Sequence, residues 1–387
     1  MKRIPVASPD LTGNENAYVS EAIRSTWISS AGKFLERFES EFASLCGSSS
    51  ALGACNGTVA LHLALLALDV RPGDEVLVPS LTYIATANAV RYVGAEPVFV
   101  DVDPATWCID PAGISDAITR RTRGIIAVHL MGHPADMDVI NQIAVTHGLW
   151  VVEDAAEAHL ARYKGRTVGS LAKVGTFSFF GNKIFTSGEG GAVTASDQQL
   201  EVRMRMLRGQ GMDPDKRYFF PITGYNYRMT NLAAALLCAQ LERREEIVER
   251  RRAIFARYRE LLKEIPGIGF QPVAPWAEVS PWMFAITVNP REFGCSREDL
   301  MACLAARGVE TRPMFLPLHH MPPFREQARQ RDEVLPVTDR LGSHGIMLPT
   351  FSQLSDADLQ YVVEAIASAQ GVSREVLLSF VRKAGAA

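Results

Sequence analysis

Apolar positions along the chain alternate between two rhythms. Short dense runs at 75–79 (EVLVP), 97–102 (PVFVDV), 124–129 (GIIAVH), 149–152 (LWVV) and 175–180 (GTFSFF) read as strands. Helical stretches lie between most of them. Residues 58–68, TVALHLALLAL, are apolar nearly all round and predict a buried helix. Thr12 and Glu15 have capping-box spacing and predict a helix running to about Trp27. From Asn231 to about Glu264 the pattern predicts one long helix, apolar in its first half and charged in its second, with Glu246 and Arg250 in the favourable i,i+4 order. Beyond it come a strand signal (MFAITVN) and two helices with capping signals at Ser296 and Ser355. This alternation predicts an α/β fold with a mainly parallel sheet flanked by helices. The long helix leads from a large domain, residues 1–250, into a smaller C-terminal α/β domain, residues 251–387.

Composition narrows the function classes. Of 387 residues, 47% are hydrophobic and 21% charged, enough for a sizeable core in a soluble globular protein. The net charge is −3 and no basic stripe marks a nucleic-acid partner. The N-terminal MKRIPVASPDLTG lacks the apolar stretch of a secretion signal, and no run approaches the ~20 apolar residues that span a bilayer. The six cysteines are scattered, without a Cys-x-x-Cys pair or zinc-like spacing. They predict a reduced, cytoplasmic setting and no metal site.

Four local features share one possible ligand. In CNGTVALHLAL (55–65), Gly57 and Thr58 open a helix, offering backbone N–H groups, a hydroxyl and the positive end of a helix dipole to a phosphate. The competing reading is an ordinary N-cap. In LWVVEDAAEAH (149–159), Asp154 closes an apolar strand, where open α/β sheets place ligands. It suits a protonated ring nitrogen, or simply caps the next helix. In PSLTYIATANAV (79–90), Tyr83 follows another strand end and is either a stacking surface for a planar ring or plain core. In TFSFFGNKIFTSGEGGAV (176–193), Lys183 sits among glycines in an apolar surround with Ser178 upstream. Desolvation favours a nucleophilic neutral amine there; the alternative is a strand-end lysine snorkelling to water. Together they describe a pocket for pyridoxal 5'-phosphate, with Lys183 its covalent anchor. His62, His129 and His133 read as packed or turn-forming histidines rather than catalytic ones.

These motifs, with GYNYRMTNL, resemble the sugar aminotransferases of the DegT/DnrJ/EryC1/StrS type, which act on nucleotide-linked keto-sugars and are fold-type I pyridoxal phosphate enzymes. The similarity runs from about Ile4 to the C-terminal helix. It implies a large mixed, mainly parallel sheet domain with a smaller C-terminal α/β domain. By the same resemblance Lys183 is the catalytic lysine, Asp154 the partner of the pyridine nitrogen, Glu157 the residue near the ring hydroxyl and Tyr83 the stacked aromatic. Gly57, Thr58 and Ser178 would contact the phosphate. Asn226 would reach it from a second subunit, which implies a homodimer with shared active sites. A related dehydratase branch carries histidine at the lysine position, so Lys183 implies transamination, with L-glutamate as the amino donor.

Within the family, WISSAGKFLERFESEFA (27–43), LRGQGMDP (207–214), PWMF (281–284) and TRPMFLPLHHMPPF (311–324) are most similar to the branch that aminates C4 of GDP-4-keto-6-deoxymannose. Arg312 and His319 are the candidates for its substrate mouth. Other readings are amination of a 3-keto GDP-hexose or an 8-keto octulosonate, and a non-catalytic sensor, against which the intact Lys183, Asp154 and Ser178 argue. A nicotinamide oxidoreductase lacks its G-x-G-x-x-G fingerprint here. His159-Leu160 and Phe185 depart from the family's usual residues beside the site.

Overall fold

The computed structural model describes residues 2–370. Its main sheet has seven strands in the order β1 (Ser50–Ala54), β9 (Gly191–Ala195), β8 (Val174–Ser178), β5 (Trp150–Asp154), β4 (Thr122–Val128), β2 (Glu75–Pro79) and β3 (Glu96–Val100). Only β9 runs against its neighbours, antiparallel to β1 and β8; the pairs β8–β5, β5–β4, β4–β2 and β2–β3 are parallel. The five strands expected from sequence all form, each end within two residues of expectation. Helices cover both faces, as buried parallel strands require. The helix Gly57–Ala67 is buried along almost its whole length, which explains why it is apolar all round.

Two expected boundaries shift. The first helix starts at Glu15 and ends at Arg24, with Asn14 at its N-cap and no side-chain cap. Thr12 instead donates to Asp10 (2.8 Å) and accepts from Arg243, while Glu15 takes the Gly13 N–H. The expected long helix is two, Asn231–Glu242 and Arg244–Leu262, broken at Arg243 (φ −105°, ψ 13°). The Arg243 guanidinium reaches away to buried Asp10 at 3.0 Å, a partner no helical periodicity contains. Glu246 and Arg250 pair as expected, at 2.7 Å.

The core changes identity along Arg244–Leu262. Ile247 and Val248 pack in the large core, whereas Ile254, Tyr258 and Leu262 pack in a C-terminal one. That second core lies on a four-stranded sheet ordered β10 (Ile268–Phe270), β12 (Phe284–Val288), β14 (Gly345–Leu348), β13 (Arg312–Pro313). Ser296 and Ser355 cap its helices as expected, each hydroxyl accepting the N–H three residues on. Ile4 joins this core from the far end of the chain by pairing with Val309. A small third sheet sews the parts together: β11 (Ala277–Glu278) pairs with β6 (Arg162–Tyr163), which pairs with β7 (Arg166–Thr167). No helix among the described residues is long and apolar enough to cross a membrane.

Candidate active site

Because β1, β2, β4, β5 and β8 all point the same way, the segments after their C-terminal ends open on one edge of the sheet. That edge is where open α/β sheets hold ligands. It carries Gly57 after β1, Tyr83 after β2, Met131 after β4, Asp154 and Glu157 at the end of β5, and Ser178 and Lys183 at the end of β8.

Gly57 and Ser178 meet closely. A Cβ on residue 57 would lie 2.6 Å from the Ser178 Cβ and 3.1 Å from its hydroxyl. Asn56 caps the helix by accepting the Val59 N–H at 3.0 Å. The first N–H groups, of Gly57 and Thr58, have no protein acceptor among the described residues, as expected of a helix start. Free N–H groups, a hydroxyl and a helix N-terminus therefore converge, an arrangement fit for a phosphate.

The two adjacent acids of β5 face opposite ways. Glu153 turns inward and organises structure, accepting the N–H groups of Gly169, Leu171 and Ala172 and bonding His129 at 3.0 Å. Asp154 faces the ligand edge. It is buried, and accepts from the Thr86 hydroxyl (2.8 Å) and the Ala156 N–H (3.2 Å). Burial raises its carboxyl above the ordinary value in spite of these donors and of Lys183. Glu157 is buried too and accepts the Met131 N–H at 2.9 Å. Met131 is held in the left-handed region (φ 53°) to aim that N–H, a strained conformation for a side-chain-bearing residue. Burial pushes Glu157 up to about 7 against the pull of Lys183, and Asp154 adds to the rise.

Lys183 supplies the opposing charge. The residue is half-buried; partial burial lowers the amine's pKa below the ordinary lysine value, while Glu157 and Asp154 resist the drop. The lysine loop is fixed from below: Gln240 accepts the Thr186 N–H (2.9 Å) and donates to the Thr186 carbonyl (2.6 Å). A half-buried amine, two buried carboxyls and a helix start fit for a phosphate thus share one edge. The set fits a phosphorylated, aromatic, nitrogen-containing aldehyde, because each of its groups meets a side chain of the right chemistry.

The family model of the DegT/DnrJ/EryC1/StrS aminotransferase family matches residues 9–367. The chain belongs to this family. It is 47% identical over 367 residues to GDP-perosamine synthase of Caulobacter vibrioides, covering 95% of this chain and 98% of that protein. It is 43% identical over 366 residues to GDP-perosamine synthase of Escherichia coli O157:H7, with 95% and 98% covered. Among solved structures, DesV of S. venezuelae, in complex with ketimine intermediate, superposes with a TM-score of 0.89 at 36% identity, covering 96% of this chain and all of that one. DesI, in the presence of its TDP-sugar product, gives 0.90 at 32%, with 98% and 96% covered. Membership of this aminotransferase family implies a pyridoxal phosphate cofactor.

The remaining sequence-derived candidates lie further out in this family member. Tyr83 is exposed and packs against Phe315 with ring centroids 6.0 Å apart, so it is not plain core. Asn226 is exposed, pairs through its backbone with Gly209, and accepts from Arg228 at 3.4 Å; within the single chain it makes no recorded bond to the Lys183 cluster. Arg312 is exposed and paired with Glu310 at 2.8 Å. His319 is buried: its Nδ1 bonds the Ser80 hydroxyl at 2.8 Å just beyond β2, and its Nε2 lies 3.4 Å from Asp339. It anchors residues 318–320 to the ligand edge. His62 bonds the Tyr227 hydroxyl, and His129 and His133 are buried in hydrogen-bonded turns, as expected of structural histidines. His159 is sandwiched against Phe177 and Phe179, and burial lowers its pKa to about 3, so it stays neutral. Sequence reasoning missed Thr86, Met131 and Trp282. Thr86 sits one turn beyond Tyr83 in a quoted motif and was within reach; Trp282 lay in the quoted PWMF segment, which marked a family likeness but gave no sign of a place beside Lys183.

Proposed function

We propose that this chain is a pyridoxal 5'-phosphate-dependent aminotransferase that moves an amino group from L-glutamate to C4 of GDP-4-keto-6-deoxymannose, giving GDP-perosamine and 2-oxoglutarate. The observation that carries the reading is the meeting of half-buried Lys183 with buried Asp154 and Glu157 at one edge of the sheet. The near full-length similarity to two GDP-perosamine synthases supports the choice of sugar.

When bound, the cofactor supplies an electron sink that loosens the Cα–H bond of the donor. Gly57 and Thr58 N–H groups with the Ser178 hydroxyl hold its phosphate. Asp154, steadied by Thr86 and Ala156, keeps its ring nitrogen protonated; a charge-assisted bond relieves the cost of burying that carboxyl. Glu157 would lie near the ring hydroxyl. Tyr83 offers its exposed ring as the stacking surface. Lys183 would hold the cofactor through its Nζ, and the same amine would take the proton from the donor's Cα and give one to the sugar carbon. Asn226, exposed on one chain, completes the phosphate site of a second copy, making the working unit a homodimer. Arg312 and His319 belong to the sugar–nucleotide mouth, Arg312 by direct contact and His319 by fixing residues 318–320.

Purified protein should convert GDP-4-keto-6-deoxymannose and glutamate to an amino sugar, with NMR placing nitrogen on C4. Turnover confined to dTDP- or UDP-linked keto-sugars would reassign the substrate. No turnover with any nucleotide keto-sugar would refute the reading.

A further inference from the structure

Trp282 belongs to the C-terminal part of the sequence, yet its indole lies in the active site. The Lys183 Nζ stands 4.1 Å from the ring centroid, over its face. That is well inside the ~6 Å at which a cation is attracted by an aromatic quadrupole, and indole is the strongest such partner. Trp282 is 3% exposed, so water does not compete on its far side.

The ring's position is built from several directions. Its Nε1–H donates to the Asn182 carbonyl at 2.9 Å, tying it to the residue before the lysine. Buried Arg251 donates to the carbonyls of Pro281 (2.9 Å) and Trp282 (2.5 Å). Ser280 donates its N–H to Gly132 and its hydroxyl to the His159 carbonyl, at 2.9 and 2.6 Å. Gly132 has to be glycine for this: its φ is +85°, and a Cβ would fall 1.9 Å from the Ser280 carbonyl oxygen. A buried guanidinium directed at two main-chain carbonyls, and a close approach that only glycine permits, are costly devices. Their common product is the placement of one indole face.

We propose that Trp282 is a positioning residue that receives the Lys183 ammonium on its indole face whenever the lysine is not joined to the cofactor. The inference rests on Lys183 being the cofactor lysine. In each cycle the amine is released, carries a proton and must find the same atoms again. A long lysine side chain has much rotamer freedom to lose. A fixed aromatic face would hold the amine at one place on the ligand edge without itself offering a hydrogen-bond acceptor. The titratable and charged groups that act around the amine are Glu157 and Asp154 from the β5 end and neutral His159, with Arg251 bonded to the carbonyls of Pro281 and Trp282.

The test is competitive acylation of the full chain carrying the amino form of the cofactor, with the Lys183 peptide followed by mass spectrometry across pH. Reactivity reports the neutral amine fraction. Trp282→Leu should lower the midpoint of Lys183 by about one pH unit, the scale of a desolvated cation–π contact. Trp282→Phe, which retains most of the packing, should lower it by about half as much. An unchanged or raised midpoint in Trp282→Phe, with the thermal transition intact, overturns the proposal even if the leucine variant does not fold. Failure of the underlying assignment looks different: borohydride reduction of the aldehyde form would then leave the Lys183 peptide unlabelled in the parent protein.

Discussion

At the residue scale, the site is governed by the cost of holding charge away from water. Asp154 and Glu157 are both buried carboxyls raised above their ordinary values, with the desolvated Lys183 amine facing them. They differ in neighbours. Asp154 has a hydroxyl and an N–H fixed on it, while Glu157 has a single N–H from a strained turn. Glu157, at about 7 against an ordinary 4.5, has a measurable signature. A carboxyl raised in the folded state favours the fold below about pH 4.5, and that contribution is lost as pH rises through about 7. Glu157→Gln has no proton to lose. In cofactor-free protein its melting temperature should therefore gain on the parent's as pH climbs from 5 to 8; a constant difference contradicts this. Lys183 and Asp154 were legible in the sequence because each sits where strand and glycine patterns announce a ligand edge. The place of Trp282 was not, although its PWMF segment was quoted, since its meeting with the lysine loop joins residues 100 apart and depends on Arg251, Ser280 and Gly132.

At the element scale, local chemistry predicted elements well and their interruptions poorly. The strands and the caps at Ser296 and Ser355 formed as read, because each depends on neighbours along the chain. The break at Arg243 and the unused capping box at Thr12 share one cause, buried Asp10, which draws both side chains to itself. The phosphate cradle belongs to this scale too, since it needs a strand end and a helix start in contact. Gly57→Ala should keep the helix, as alanine is the better helix former. Its Cβ would nonetheless fall 2.6 Å from the Ser178 Cβ, so the two segments would have to move apart. Equilibrium titration should show pyridoxal phosphate affinity falling by about tenfold or more, or ~1.4 kcal/mol. Unchanged affinity would remove Gly57 from the cradle.

At the scale of the whole molecule, the C-terminal part of the chain returns to the large sheet at several points. His319 docks on Ser80, Glu333 accepts the Phe99 N–H, Arg331 bridges Glu75 and Glu96, and Gln271 donates to the Thr106 and Leu130 carbonyls. These ties carry Trp282 and residues 318–320 to the ligand edge, so the site is complete only when both parts are assembled. No pattern within one segment states that, which is why sequence motifs located the edge and left its far wall undrawn. What all of this converges on is one amine. The direct measurement is borohydride reduction of the pyridoxal phosphate-loaded protein, followed by peptide mass mapping. A stable phosphopyridoxyl label should appear on Lys183 and be absent from Lys183→Ala. A label on another lysine, or none in protein that retains the cofactor, would contradict it.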